Sequence, residues 1–342
     1  MNRNKMINKD KVRGAFLGLA VGDALGKPVE TLSAKTIRER HGEVKEYLSC
    51  SGHKWFNGHM QGTWTDDTQL SLAIARAFVN KGEFNLDEIA REHVNEFAVN
   101  VKGWGGSTRE AISKIATGVH WSQASITNKA NRGSGNGVAM KVAPISVYMA
   151  LTNPACEQEK WKKDLQNIMH VAIMTHRTSM AITSGLAHTF AVFKCLNSTP
   201  DNFDRASFIR TICGAGMIGR QQLPETIESD DIANRFDMVH DYENIETEEI
   251  INRFGGGSCY VYDSLPFTYM FFLRNPYTIQ SLYDCVSAGG DTDSNGSMLA
   301  CMLGALHGTS IFPQNLVDGL DQKEMILEIA DKLYERFSNE SK

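Results

Sequence analysis

Apolar residues recur at helical spacing along most of the chain, and convincing strand alternation is absent. We therefore predict an all-α fold, a compact many-helix bundle. The pattern predicts helices near residues 11–26, 68–80, 86–100, 107–117, 138–151, 161–175, 178–196, 205–218, 246–253, 264–273, 279–287 and 294–307. No repeat or low-complexity linker divides the chain, so we expect a polar tail over 1–10 and a single domain over 11–342.

The first and last of these helices carry small residues four positions apart. They are Gly14, Gly18, Gly22 and Gly26 in the first helix, and Gly296, Ala300, Gly304 and Gly308 at the last. Glycine inside a helix costs about 1 kcal/mol relative to alanine, so its repetition at one spacing requires a reason. Small residues on one face allow another backbone to approach closely. We predict that both helices lie at the core, with their ends near each other.

Composition and charge narrow the classes of partner. The net charge of -5 argues against nucleic acid as the main partner, and no apolar run approaches the length of a membrane span. The seven cysteines include no CxxC pair, which is typical of reduced thiols in a cytoplasmic protein. The acidic stretch 225–249 is interpreted as a solvated face, with a recognition surface for a basic partner as the alternative.

Two clusters of acidic residues stand at predicted helix starts. One is Thr65-Asp66-Asp67-Thr68, and the other is Gly289-Gly290-Asp291-Thr292-Asp293-Ser294. Helix capping explains one carboxylate at each start, but it does not explain adjacent pairs at both. Four carboxylates brought together would repel one another, and a bound cation removes that penalty. Oxygen ligands of this kind favour Mg²⁺ or Mn²⁺, and two clusters together supply enough oxygens for two ions.

Glycine-rich loops form a third candidate site. Arg132-Gly133-Ser134-Gly135-Asn136-Gly137 precedes a predicted helix and could present backbone N–H groups to a phosphate or diphosphate, although such loops are usually only turns. A similar loop over 103–108 adds Trp104 as an aromatic for stacking. His176 between two helices is more often an interface residue than a catalyst. The irregular segment 41–64 has the length of a functional lid.

Taken together, these residues resemble the ADP-ribosylglycohydrolases. The matching motifs are Gly14-Ala15-Phe16-Leu17-Gly18, Gly22-Asp23-Ala24-Leu25-Gly26, Thr65-Asp66-Asp67-Thr68, Ser134-Gly135-Asn136-Gly137 with Met140, Thr175-His176, and Gly289-Gly290-Asp291-Thr292-Asp293-Ser294. They follow in the family's order and extend from residue 14 to about residue 308. Several ordered motifs are far more specific than any one of them.

The resemblance implies an all-helical fold with two Mg²⁺ or Mn²⁺ ions in a cleft. The implied metal ligands are Thr65, Asp66, Asp67, Asp291, Asp293 and Ser294. The implied catalytic residues are Asp66, Asp67, Glu30 and Asp293. The implied contacts to ADP-ribose are Ser134, Gly135, Asn136 and Gly137 at the diphosphate, His176 near the ribose, and Trp104 and Gly105. Some bacterial relatives carry an acidic residue where this chain has Lys102-Gly103-Trp104, which leaves the general base open between Glu30 and a metal-bound hydroxide.

The activity implied by the resemblance is hydrolysis of ADP-ribose from protein side chains, with an arginine linkage favoured. The first alternative is a binding protein that blocks an ADP-ribosyltransferase without catalysis, as some immunity proteins neutralise a cognate toxin. In that case the tail over 1–10 could enter the transferase cleft. The second alternative is a family member kept for a structural role, as in some lens crystallins. The intact acids Asp66, Asp67, Asp291 and Asp293 argue against it.

Overall fold

The computed structural model describes residues 7–101, 103–129, 132–153, 155–222 and 231–338. Over this part of the chain the secondary structure is helical, with isolated bridges at Ser33–Gly289 and Gly135–Tyr260 and no strand, so the all-α prediction is confirmed. The α-helices are α1 Lys9–Gly26, α2 Ala34–His41, α3 Asp66–Lys81, α4 Leu86–Val99, α5 Gly106–Ala116, α6 Trp121–Ala124, α7 Ala143–Thr152, α8 Gln158–Thr175, α9 Ser179–Leu196, α10 Arg205–Arg220, α11 Ile232–Asp237, α12 Thr247–Arg253, α13 Val261–Arg274, α14 Gln280–Ser287, α15 Thr292–His307, α16 Gln314–Asp318 and α17 Lys323–Ser338.

Several elements differ from the sequence-based prediction. Helix α17 was not predicted, yet it buries Ile326, Ile329, Ala330, Leu333 and Phe337 at regular helical spacing. The short helices α2, α6, α11 and α16 were also missed. Helix α7 begins at residue 143 rather than 138, after a 3₁₀ turn over 139–141, because its proline at residue 144 fits only the first turn of an α-helix.

Both helices lie at the core with their ends near each other, as predicted, and the structure adds that α1 and α15 pack directly against each other in antiparallel orientation. A Cβ atom added at Gly18 would lie 2.2 Å from the carbonyl oxygen of Ala300, and one added at Gly22 would lie 2.1 Å from that of Gly296. Because neither distance leaves room for a methyl group, the stripe of glycines is what permits this backbone contact. We call this interface the α1/α15 seam.

The α1/α15 seam ends where the candidate site begins. The C-terminal end of α1 meets the first residue of α15, and the Thr292 hydroxyl donates to the Gly26 carbonyl at 2.8 Å. A 3₁₀ turn over Lys27–Val29 then leads directly to Glu30. No described helix is long and apolar enough to cross a membrane. Residues 1–6 of the predicted tail and 225–230 of the acidic stretch lie outside the described residues.

Candidate active site

The starts of α3 and α15 bring the two acidic clusters together, although more than 220 residues separate them in sequence. The Ser294 hydroxyl lies 3.3 Å from Asp67 Oδ2. The Thr65 hydroxyl lies 3.3 Å from the same oxygen and 3.5 Å from Asp293 Oδ2. Glu30 joins them, since Glu30, Asp291 and Asp293 each place a carboxylate oxygen within 4.8 Å of the other two. Asp66 lines the cleft beside Asp67.

Asp23 on α1 organises the start of α3, a role that the sequence analysis missed. Its buried carboxylate accepts the N–H of Thr65 at 2.9 Å, the N–H of Thr68 at 3.1 Å and the Thr68 hydroxyl at 2.6 Å. Thr65 itself makes no side-chain cap. Because a residue from another helix satisfies these N–H groups, the side chains of Asp66 and Asp67 remain free to face the cleft. Asp23 lies within a quoted family motif, but its partners are distant in sequence.

The buried carboxyl groups have raised pKa values. Burial, followed by repulsion from Asp291, Asp66 and Asp23, raises the pKa of Glu30 to about 9. Burial and the Asp23 carboxylate raise the pKa of Asp66 to about 7. Burial likewise raises the pKa values of Asp67 and Asp293 well above the usual range. Without added positive charge, the protein can therefore ionise this cluster only at a large cost.

Two unsatisfied atoms show that the cluster fits a cation. Asp67 Oδ1 and Glu30 Oε2 are buried and find no hydrogen-bond partner among the described residues. Buried polar atoms are almost always paired, so carboxylate oxygens left bare indicate a partner that the protein does not supply. Carboxylates and hydroxyls are hard ligands of the kind that Mg²⁺ and Mn²⁺ prefer. The residues present thus suit a divalent cation.

Two buried lysines supply part of the positive charge. Lys27 donates to the Thr63 hydroxyl and lies 5.9 Å from the centre of the Phe56 ring. Lys141 donates to the Thr175 hydroxyl at 3.0 Å. Burial lowers the pKa of both ammonium groups, that of Lys141 to about 7, and the neighbouring acids oppose the shift. Neither lysine was singled out from the sequence, where nothing marks them as buried.

A cavity of about 1000 Å³ opens over the acids and is large enough for a dinucleotide-sized ligand. The predicted glycine loop borders it. The Asn136 N–H donates to the Cys259 carbonyl at 3.0 Å, and the Gly133 N–H donates to the Ser107 hydroxyl at 2.9 Å. Within the described chain the N–H groups of Ser134, Gly135 and Gly137 have no protein acceptor. They are available to an anion.

His176 also lines the cavity and is held as a neutral imidazole. Its Nδ1 lies 2.9 Å from the Thr175 hydroxyl, and its Cε1–Nε2 edge packs against Gly137. Burial, followed by repulsion from the Lys141 ammonium, lowers the pKa of His176 to about 3. The residue is therefore both a satisfied interface residue, as the simpler interpretation held, and part of the cavity wall.

The aromatic residues of the cleft differ in exposure. The Trp104 ring is only 3% exposed, and its N–H donates to Gln69 Oε1 at 2.8 Å, so its role in stacking stays a prediction. Gly105 borders the cavity beside it. Trp55, in the irregular segment 41–64, is 45% exposed and lines the same cavity, as does Tyr260. Lys102 lies outside the described residues.

The chain is similar to known proteins over nearly its whole length. A family model for ADP-ribosylglycohydrolase matches residues 4–342. An uncharacterized protein of Archaeoglobus fulgidus is 27% identical over 96% of this chain and 97% of its own. The ADP-ribosyl-[dinitrogen reductase] glycohydrolase of Rhodospirillum rubrum is 25% identical, with 92% and 91% of the two chains covered. The ADP-ribosylarginine hydrolase of Pseudomonas putida is 23% identical, with 96% and 78% covered.

A solved structure supports the fold independently. The chain is similar to an ADP-ribosylglycohydrolase-related protein complex with a TM-score of 0.69 and 23% identity, covering 96% of this chain and 98% of the other. The family model covers nearly the whole sequence. The chain belongs to the ADP-ribosylglycohydrolase family.

Proposed function

We propose that the protein is a metal-dependent hydrolase that removes ADP-ribose from modified protein side chains, with arginine as the linked residue. The observation that carries this proposal is the pairing of bare, buried carboxylate oxygens with a cavity of about 1000 Å³ bordered by free backbone N–H groups. The first feature suits divalent cations, and the second suits a diphosphate. ADP-ribose joins a diphosphate to a ribose that can reach the acids.

The cation ligands would be Thr65, Asp66, Asp67, Asp291, Asp293 and Ser294, which could hold two Mg²⁺ or Mn²⁺ ions. The last five line the cleft, and the Thr65 hydroxyl lies beside the Asp67 and Asp293 carboxylates. Such ions, when bound, would polarise the ribose hydroxyls and lower the pKa of a water molecule. The oxygen-only ligand set argues against zinc as the resident ion.

The residues of the chain would orient the substrate. The N–H groups of Gly135 and Gly137 would donate to the diphosphate, and neutral His176 would add a ring N–H without a charge that competes with the cations. Hydrolysis breaks the bond from C1″ of the terminal ribose to the guanidine nitrogen. Water supplies the hydroxyl group at C1″ and the hydrogen on the released nitrogen, which gives free ADP-ribose and an unmodified arginine side chain.

Glu30 is our candidate for the group that moves the proton. Its Oε2 is unpaired, and the carboxyl group faces both Asp291 and Asp293. With a pKa raised to about 9 in the cation-free protein, Glu30 holds a proton at neutral pH, and cations nearby would favour its ionised form. The proposal therefore assigns Glu30, with Asp66, Asp67 and Asp293, to the catalytic set.

The arginine linkage rests on narrower support. One relative that covers most of this chain is named an ADP-ribosylarginine hydrolase, and a planar guanidinium would fit beside Trp55 and Tyr260 at the cavity wall. A cytoplasmic location and protection of the cell against an ADP-ribosyltransferase belong to the same proposal. Protection could follow from hydrolysis alone.

The test is to incubate the protein with arginine-, serine- and DNA-base-linked ADP-ribose and to measure free ADP-ribose. We expect release from the arginine conjugate with Mg²⁺ or Mn²⁺, and none with chelator. Release from the serine conjugate alone would overturn the linkage. Binding of a transferase with no release from any conjugate would instead favour the blocking protein.

A further inference from the structure

A chain of buried polar side chains leads away from the acidic cluster into the interface of α13 and α15. The Asn136 side-chain amide donates to Asp291 Oδ2 at 2.5 Å and to the Ser264 hydroxyl at 3.1 Å. The Ser264 hydroxyl donates to Asn295 Oδ1 at 2.7 Å, and Asn295 Nδ2 donates to the Gly257 carbonyl at 2.7 Å. Ser264 and Asn295 are fully buried, and neither lines the cavity.

The direction of each hydrogen bond in this chain is fixed by its far end. The Gly257 carbonyl can only accept, so Asn295 must present its NH₂ group there and its oxygen to Ser264. Ser264 therefore gives its single proton to Asn295 and offers a lone pair to Asn136. Asn136 must then turn its NH₂ group toward Ser264 and Asp291, since its oxygen would face an acceptor at both.

We propose that Ser264 and Asn295 are positioning residues that orient the Asn136 amide, which in turn occupies one oxygen of Asp291 and leaves the other for a cation. This inference rests on the proposed function, because it concerns the affinity of the cation site. Residues that hydrogen-bond to a metal-ligating side chain commonly set its orientation, and removing them weakens metal binding by about 10- to 100-fold.

The same amide connects the cation site to the glycine loop. Asn136 belongs to that loop, and its backbone N–H donates to Cys259. The Val261 N–H donates to the backbone carbonyl of Ser134 at 3.0 Å, and the Asp291 N–H donates to the Gly257 carbonyl at 2.9 Å. Three loops are thus tied together at Asn136. Substituting a residue that orients the Asn136 amide should therefore weaken the binding of both the cation and ADP-ribose, although the substituted residue touches neither.

The experiment uses Ser264→Ala in the full chain, with Mg²⁺ affinity measured by calorimetry in the absence of nucleotide. We expect Mg²⁺ to bind roughly 10-fold or more weakly than to wild type. We also expect ADP-ribose to bind more weakly in chelator, by roughly 5-fold. Wild-type Mg²⁺ affinity in the variant would overturn the proposal, and wild-type ADP-ribose affinity would overturn its link to the glycine loop.

The matched control is Ser146→Ala. Ser146 is equally buried and donates to the Thr189 carbonyl at 2.9 Å, away from the cleft. It should retain the wild-type Mg²⁺ affinity, and an equal loss in both variants would overturn the proposal. If Ser264→Ala does not fold, Ser264→Cys keeps a polar side chain, but its thiol is only a weak donor and acceptor, so Mg²⁺ should still bind measurably more weakly than to wild type. Wild-type affinity in that variant would also overturn the proposal.

Failure of the inference can be told apart from failure of the proposed function. If wild-type protein binds neither Mg²⁺ nor ADP-ribose, the proposed function fails, and the inference falls with it. If wild type binds both and Ser264→Ala binds both equally well, only the inference fails.

Discussion

The α1/α15 seam and the acidic cleft at its end are neighbours, yet the two regions follow opposite rules. In the α1/α15 seam, glycines replace larger residues, so that the two backbones touch. In the cleft, carboxylates crowd together, and Asp67 Oδ1 and Glu30 Oε2 are left bare. The seam leaves no room for an added methyl group, whereas in the cleft the buried carboxyl groups outnumber the buried lysines. The two regions meet where the Thr292 hydroxyl donates to the Gly26 carbonyl, so the seam fixes where α15 begins relative to the end of α1.

The largest effect is expected from filling the seam. In Gly22→Ala, the new methyl group would meet the Gly296 carbonyl oxygen at 2.1 Å, so the helices must separate. We expect a loss of unfolding free energy of about 3 kcal/mol or more. The measurement is chemical denaturation in chelator, which excludes any contribution from cations.

Gly214→Ala in α10 is the matched control, because a Cβ atom there meets nothing within 4 Å. It should raise the stability by up to about 1 kcal/mol through helix propensity. Equal effects of the two substitutions would mean that the seam is looser than its distances indicate.

The next largest effect is expected on activity, with the fold preserved. Asp293→Asn keeps the shape of the side chain but removes a ligand charge, and hydrolysis should fall by roughly 100-fold or more. Stability in chelator should not fall, since the change removes a repelling carboxyl from the cluster. Near-wild-type activity together with an unchanged metal content would contradict the assignment of Asp293 as a ligand.

A smaller effect is expected on the pH dependence of stability, which the cleft should show and the uncharged seam should not. The folded-state pKa of Glu30 is raised from 4.5 to about 9, so its favourable contribution is complete below pH 4.5 and is lost as the pH rises toward 9. Glu30→Gln does not titrate. In chelator, the stability of Glu30→Gln relative to wild type should therefore increase over that window, by at most about 1.4 kcal/mol per pH unit.

Denaturation curves of both proteins, measured at several pH values, would give this difference in stability. The contribution of the buried histidines to the pH dependence cancels, because both proteins contain them. Saturating Mg²⁺ should reduce the pH dependence. A difference that is constant from pH 5 to about pH 9 would show that Glu30 is not held in a repelling environment.

The sequence predicted best what local pattern determines. Glycines four apart indicated the seam, and adjacent acids at two helix starts indicated the cleft, because both signals lie within a few residues of chain. The capping role of Asp23 could not be predicted. Asp23 lies 42 residues before Thr65 in sequence, and it reaches the start of α3 only because α1 packs beside that helix. Lys141 and Ser264 were missed for the same reason. Helix α17 had a clear apolar spacing, so its omission was an error of interpretation.

The smallest effect is expected at the glycine loop, where the cleft would meet the diphosphate. A Cβ atom at Gly135 lies 3.7 Å from the Cys259 carbonyl oxygen, an ordinary contact, so Gly135→Ala should fold normally. The methyl group would still crowd an anion at the Gly135 N–H, and we expect ADP-ribose to bind roughly 10-fold more weakly by calorimetry. Ser134→Ala leaves the backbone donors in place and should cost less. If the two variants bind ADP-ribose equally well, the diphosphate does not rest on this backbone, and the loop serves the cleft only by carrying Asn136 to Asp291.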